Sequence, residues 1–180
     1  HYYVEKYNSW GLYDLCGTRL LPYIYNDFVT FGEEVIGIKR KGNTIHLSST
    51  CESFVCKRYH MIDSEHILTD NNGRWKLYKT TGEQIIDDEF EDFINIGFGL
   101  LGLKKDKSYA IFNLSESRFV SDFKYDTIYD FYESRATVVQ DGLHGFIDNN
   151  GVEVIPCQYG GAWMFQDGIA NVDGGILDKY

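Results

Sequence analysis

The chain repeats itself, and this constrains its fold more than any other property it has. Laying Trp10-Gly11-Leu12-Tyr13-Asp14 over Trp75-Lys76-Leu77-Tyr78-Lys79 brings Gly17 onto Gly82, Leu20-Leu21 onto Ile85-Ile86 and Tyr25 onto Phe90 without a gap. His144-Gly145-Phe146-Ile147-Asp148 opens a further copy, with Gly151, Val154-Ile155 and Tyr159 in the same places. Tyr109-Ala110-Ile111-Phe112-Asn113 opens another, with Phe119-Val120 in register and Tyr125 one residue late. The most diverged copy starts at Thr44; it keeps Leu47, Phe54-Val55 and Tyr59 but has Cys51 where the turn glycine belongs. Starts at 10, 44, 75, 109 and 144 give spacings of 34, 31, 34 and 35 residues. One aromatic column, Tyr25, Tyr59, Phe90, Tyr125 and Tyr159, runs through all copies, and Phe31, Ile96, Phe131 and Phe165 follow it six residues later. Periodicity on this scale marks an array in which each unit buries its apolar face on its neighbours.

Within a unit the apolar residues fall in three short stretches. The first is of the Trp-Gly-Leu-Tyr type, the second is the Leu-Leu or Val-Ile pair, and the third is a run such as Val35-Ile36-Gly37-Ile38, Leu100-Leu101-Gly102-Leu103 or Ile169-Ala170-Asn171-Val172. Runs this short, bounded by Gly, Asn and Asp, read as strands, and a hairpin joining the first two stretches is the natural connection. The expected fold is therefore all-β, with units at 10–43, 44–74, 75–108, 109–143 and 144–176 and partial units at both ends. Each unit is expected to hold three short antiparallel strands. The uneven spacing favours an open solenoid-like or incompletely closed propeller-like array forming a single repeat domain over residues 1–180. A lone three-stranded unit is marginal, so the aromatic column reads as packing between units.

These residues resemble the WG-repeat family, whose unit runs Trp-Gly, a hydrophobic pair and Asp, a turn with Gly, Val-Ile-Pro, Tyr-Asp, Phe, and a strand ending in Asp-Gly. His144-Gly145-Phe146-Ile147-Asp148 through Val154-Ile155-Pro156, Tyr159, Phe165, Asp167-Gly168 and Val172 follows that pattern, as does Trp10-Gly11 through Leu20-Leu21-Pro22, Tyr25 and Phe31. The dipeptide itself is intact only at Trp10-Gly11; Trp75-Lys76 and His144-Gly145 keep half of it, and the Thr44 copy keeps neither residue. The resemblance implies a non-catalytic interaction module, and it brings no active site and no ligand with it.

A net charge of −10 gives no electrostatic pull towards phosphate backbones or anionic lipid, so neither nucleic acid nor a membrane surface is an expected partner. No apolar run approaches the ~18 residues needed to cross a bilayer. Lys39-Arg40-Lys41 and Lys104-Lys105 each precede a turn signal and read as solvated. Tyr2-Tyr3-Val4 already reads as a strand, so the chain is expected to be a mature form or an excised fragment, and its compartment stays open.

His46, Cys51, Cys56, His60 and His66 place imidazole and thiol ligands close together in sequence, the set zinc prefers. Their spacing is not that of a zinc knuckle, so they read as ordinary side chains and free thiols, and no metal or cofactor is expected. Asp87-Asp88-Glu89 lacks the order of a calcium loop, and Asp-Asn-Asn-Gly at 70 and at 148 reads as turn chemistry. No nucleophile-elbow, phosphate-loop or His-Glu-x-x-His motif is present, and His144 reads as a packing substitute in the Trp column. The expected role is a scaffold for a protein partner. The alternative is glycan or cell-surface binding through aromatics outside the apolar columns: Tyr23, Tyr129, Tyr132 and Trp163.

Overall fold

The computed structural model describes residues 2–31, 34–41, 44–48 and 53–178, apart from the side chains at 29–31, 34–37, 39–41, 44–48 and 53–54. The described residues form strands and turns with no helix, and their small antiparallel sheets do not close into a barrel. The chain divides into two compact units, His1–Glu89 and Phe90–Tyr180.

In the first unit, β1 (Tyr2–Lys6), β2 (Ser9–Tyr13) and β3 (Arg19–Tyr25) form one sheet. A second runs β4 (Asp27–Phe31), β5 (Glu34–Lys41), β6 (Thr44–Ser48) and β7 (Ser53–Cys56), and a third holds β8 (Arg58–Met61), β9 (His66–Asp70) and β10 (Trp75–Lys79). In the second unit, β11 (Asp92–Gly97), β12 (Leu100–Lys105), β13 (Ser108–Asn113) and β14 (Arg118–Phe119) form one four-stranded sheet. Another runs β15 (Thr127–Tyr132), β16 (Arg135–Gln140), β17 (Leu143–Asp148) and β18 (Glu153–Tyr159), followed by the hairpin β19 (Ile169–Val172) and β20 (Gly175–Asp178).

Three sheets thus have four strands where three were expected. The extra strand is the segment after the aromatic column, as in β4, β11 and β15. The third apolar stretch of one copy pairs with the first stretch of the next, so each sheet crosses a boundary placed from the sequence. Two-residue turns make this possible. Tyr7-Asn8, Phe98-Gly99, Asp106-Lys107, Glu133-Ser134, Asp141-Gly142 and Asp167-Gly168 all have positive φ at both positions, the twist that matches antiparallel strands.

The two Asp-Asn-Asn-Gly segments do make turns, with Gly73 at φ 78° and Gly151 at φ 79°. They serve different hairpins, β9–β10 and β17–β18. In the latter, Asp148 Oδ1 accepts N–H bonds from Asn150 (2.9 Å) and Val152 (3.0 Å).

In three copies the aromatic column faces the first residue of the copy. Trp10 pairs with Tyr25, Tyr109 with Tyr125, and His144 with Tyr159. The one-residue delay of Tyr125 starts earlier than the sequence alignment places it. Tyr13 faces Arg19, Tyr78 faces Gln84 and Ile147 faces Glu153, but Phe112 faces Phe119. The additional residue therefore lies in the turn after Asn113, where Ser117 takes φ 49°, and Phe119-Val120 is already displaced.

The two copies that keep the glycine of the dipeptide share a bulged second strand. From Trp10↔Tyr25 to Leu12↔Leu21, and from His144↔Tyr159 to Phe146↔Ile155, the second strand carries two more residues than the first. Pro22 and Pro156 sit in these bulges, where no ladder N–H is required. The bulged backbone lies against the glycine. A Cβ on Gly145 would stand 2.5 Å from the Ile155 carbonyl oxygen, and one on Gly11 3.1 Å from that of Leu21. Where Ala110 or Lys76 takes the glycine's place, the pairing is β14 with the separate Tyr109–Tyr125 bridge, or the Tyr78–Gln84 bridge.

Packing follows the columns. Tyr25, Phe90 and Tyr125 are buried, while Tyr59 and Tyr159 are half-buried. In the second unit Ile96 and Leu100 of one sheet meet Ile128, Ala136, Val138 and Ile147 of the next around Tyr109 and Tyr125. Phe146 packs edge-on against Phe165, with ring centroids 4.9 Å apart. Fully burying one such side chain is worth ~1.5–3 kcal/mol. The turns bind successive copies as well: Phe98 packs on Phe131 at 5.0 Å, and the Glu133 carboxylate accepts the Asp167 and Gly168 N–H groups at 2.8 Å each.

Candidate functional site

A β-bulge positions the most prominent surface feature. Between Ile128↔Val138 and Phe131↔Ala136 the β15 strand carries Tyr129 and Asp130 opposite the single residue Thr137. Bulges of this kind redirect side chains, and both Tyr129 and Asp130 are exposed here. Together with Tyr132, Thr137, His144, Ala162, Trp163 and Met164 they line a cleft of about 350 Å³. Trp163 and Met164 also border a hollow of about 540 Å³ with Gln166, Asp167, Ile169 and Asn171. Trp163 therefore stands as a wall between two depressions.

Three of the four aromatics singled out from the sequence meet in this cleft. Tyr129 is 52% exposed, Tyr132 45% and Trp163 64%. Among the described residues none of these three rings has a ring, cation or hydroxyl hydrogen-bond partner, and Asp130 has no ion pair. Trp163 is held by its backbone, whose N–H donates to the Asn171 carbonyl at 2.9 Å.

The fourth, Tyr23, stands apart from this cleft. It lies half-buried in the first unit over Gly11, and its hydroxyl is 2.9 Å from that of Tyr13. That hydrogen bond, with some burial, pushes the Tyr23 phenol above its ordinary range.

His144 is half-buried and faces the cleft, with Nδ1 buried and lacking a hydrogen-bond partner. His144 occupies the position of the dipeptide's Trp and borders the cleft. The related position at Trp10 borders a hollow of about 350 Å³ with Tyr3, Asp27 and Phe28. Sequence reasoning passed over Asp130, Thr137 and Met164. For Asp130 and Thr137 the reason is that their place on the cleft depends on the bulge and on the pairing of β15 with β16.

The soft-ligand set does not come together among the described residues. Cys51 and the side chain of His46 lie outside them. Cys56 is fully buried with Ile38 and Ile67, and burial, followed by the nearby Asp70 carboxylate, pushes its thiol up to about 11. His60 is exposed on β8. His66 is buried and tied locally, with Nδ1 2.9 Å from each Asp63 carboxylate oxygen. No group of three or more His, Cys, Asp or Glu stands in position to hold a metal among the described residues. Within the acidic link, Glu89 pairs with Lys76 at 3.1 Å.

The profile of the WG containing repeat family matches residues 115–143 and 145–173, two hits in tandem. They cover Tyr129, Asp130, Tyr132 and Trp163, and His144 falls between the two. No curated protein matches the chain.

Proposed function

We propose that this chain is a non-catalytic module that holds a protein partner, with the cleft around Trp163 as its contact surface. The observation that carries the proposal is the meeting of Tyr129, Tyr132 and Trp163 around one open cleft, all three exposed and none stacked on another ring or a cation among the described residues. Rigid aromatic rings give a large contact area at low entropic cost, and for that reason they dominate binding hot spots.

The module is read as a tandem array of β-rich units of about 34 residues, in the open solenoid-like or incompletely closed propeller-like form that the uneven spacing favours. The tandem family match supports that reading, as do the pairings shared by the copies at Trp10, Tyr109 and His144. The hydrogen bonds from Asp167 and Gly168 to Glu133 add to this, because they span 34 and 35 residues, one repeat length.

The test is co-purification from the native host with the wild-type chain and with a Tyr129→Ala/Tyr132→Ala/Trp163→Ala variant. A partner held equally by both removes the cleft as the contact surface.

Glycan binding is a second reading, supported by Asp130, Thr137 and His144 beside the exposed rings. A sugar stacks its C–H face on a ring and gives its hydroxyls to such polar groups. A glycan array with signals no higher for the wild type than for Trp163→Ala removes it.

A further inference from the structure

We infer that the cleft receives a cationic side chain, a Lys ammonium or an Arg guanidinium, from a basic segment of the partner protein; this rests on the binding reading above. The chain's own architecture supplies the pattern. The Arg58 guanidinium lies 5.0 Å from the centre of the Trp75 ring and pairs with Asp70 at 2.7 Å. Lys124 lies 4.9 Å from the Tyr125 ring centre and pairs with Glu153 at 2.8 Å. Lys104 lies 5.1 Å from the ring centre of Tyr109, whose hydroxyl donates to Asp92 at 2.9 Å. In two places, then, an aromatic face and a carboxylate hold a cation between them, and in the third the carboxylate bonds the hydroxyl of the ring that the cation faces.

The cleft has the same two elements in larger measure. Three exposed ring faces surround Asp130, and no Lys or Arg lines it among the described residues. From Tyr125 to Asp178 the sequence has Arg135 as its one Lys or Arg, and the Arg135 Nη1 donates to the Ser134 carbonyl. Asp126, Asp141, Asp167 and Asp173 add negative charge to the same stretch. Ring quadrupoles attract cations at their faces, and a low local density of competing positive charge strengthens that attraction. A neutral ligand leaves the Asp130 carboxylate without a counter-charge, and an acidic one is repelled.

The experiment uses the whole chain and three fluorescein-labelled peptides of equal length: one alternating Lys and Arg with Gly and Ser, one with Gln in place of every cation, and one with Glu. Polarisation is read against protein concentration at several salt concentrations. The cationic peptide is expected to bind, with Trp163→Ala weakening it about tenfold. Asp130→Asn is expected to weaken it several-fold and flatten its salt dependence, while Trp163→Phe keeps most of the affinity. Tyr7→Ala, at an exposed ring of the other unit, leaves binding unchanged and controls for the loss of an exposed ring elsewhere.

Equal binding of the Gln peptide, or cationic binding indifferent to Trp163 and Asp130, overturns the inference. If instead a neutral peptide or a sugar binds in a Trp163-dependent way, the cleft remains the contact surface and only the cationic class is wrong. Loss of Trp163 dependence with every probe removes both readings.

Discussion

Replacing Gly145 by Ala adds one methyl group at a place where the facing backbone leaves no room. Its Cβ would stand 2.5 Å from the Ile155 carbonyl oxygen, 2.7 Å from the Cys157 nitrogen and 2.8 Å from the Pro156 carbonyl carbon, all of them main-chain atoms. No side-chain rotation relieves such a contact, so either the bulge of β18 moves or its pairing with β17 is lost. Overpacking of this kind costs ~1–3 kcal/mol. In a unit of this size each kcal/mol moves the midpoint by roughly 4–8 °C, so the melting temperature should fall by on the order of 10 °C. Gly11→Ala meets its neighbours at 3.1 Å, one of them the edge of the Tyr23 ring, and should cost less. Gly161→Ala meets nothing within 4 Å and should change stability by no more than ~0.5 kcal/mol. The assay is urea and thermal unfolding followed by circular dichroism, with hydrogen exchange on the amides of β18. The glycine argument fails if Gly145→Ala melts with Gly161→Ala and keeps its β18 protection.

Iodoacetamide at pH 8, followed by peptide mapping, should label the exposed Cys16 quickly and leave Cys56 unmodified until the protein unfolds, since Cys56 is buried and its thiol is raised to about 11. Burial, followed by the hydrogen bond to Asp92, raises the Tyr109 phenol to about 12, and burial with the nearby Glu153 raises Tyr125 further still. A raised phenol favours the neutral folded form. The stability tied to Tyr109 is therefore complete below pH 10 and lost as the pH climbs from 10 to 12. Tyrosinate absorbance should rise together with loss of β-structure in that window, and Tyr109→Phe should flatten the alkaline limb. Lys107 holds φ 74° in a two-residue turn, so Lys107→Gly should raise stability by about 0.5–1 kcal/mol in urea titrations. A lower midpoint would show that the left-handed backbone there is not the limiting strain.

The sequence by itself determined that the chain is all-β, that Asp-Asn-Asn-Gly makes turns, and which aromatic column is packed. Those properties are local or periodic. A glycine at positive φ, an Asp that caps its own turn, or a ring that recurs every 31 to 35 residues leaves its mark whatever the surrounding structure. The tertiary structure decided what depends on which strands lie side by side. Pairing across the copy boundaries built four-stranded sheets, and the turn after Asn113 took up the extra residue ahead of Phe119. Exposure of Tyr129, Tyr132 and Trp163 was legible, because they stand outside the apolar columns. Their convergence was not, nor were the half-buried place of Tyr23 over Gly11 and the presentation of Asp130. A bulge and the approach of a distant segment set those positions, and both arise from hydrogen-bond register and sheet packing, which no single stretch of sequence encodes.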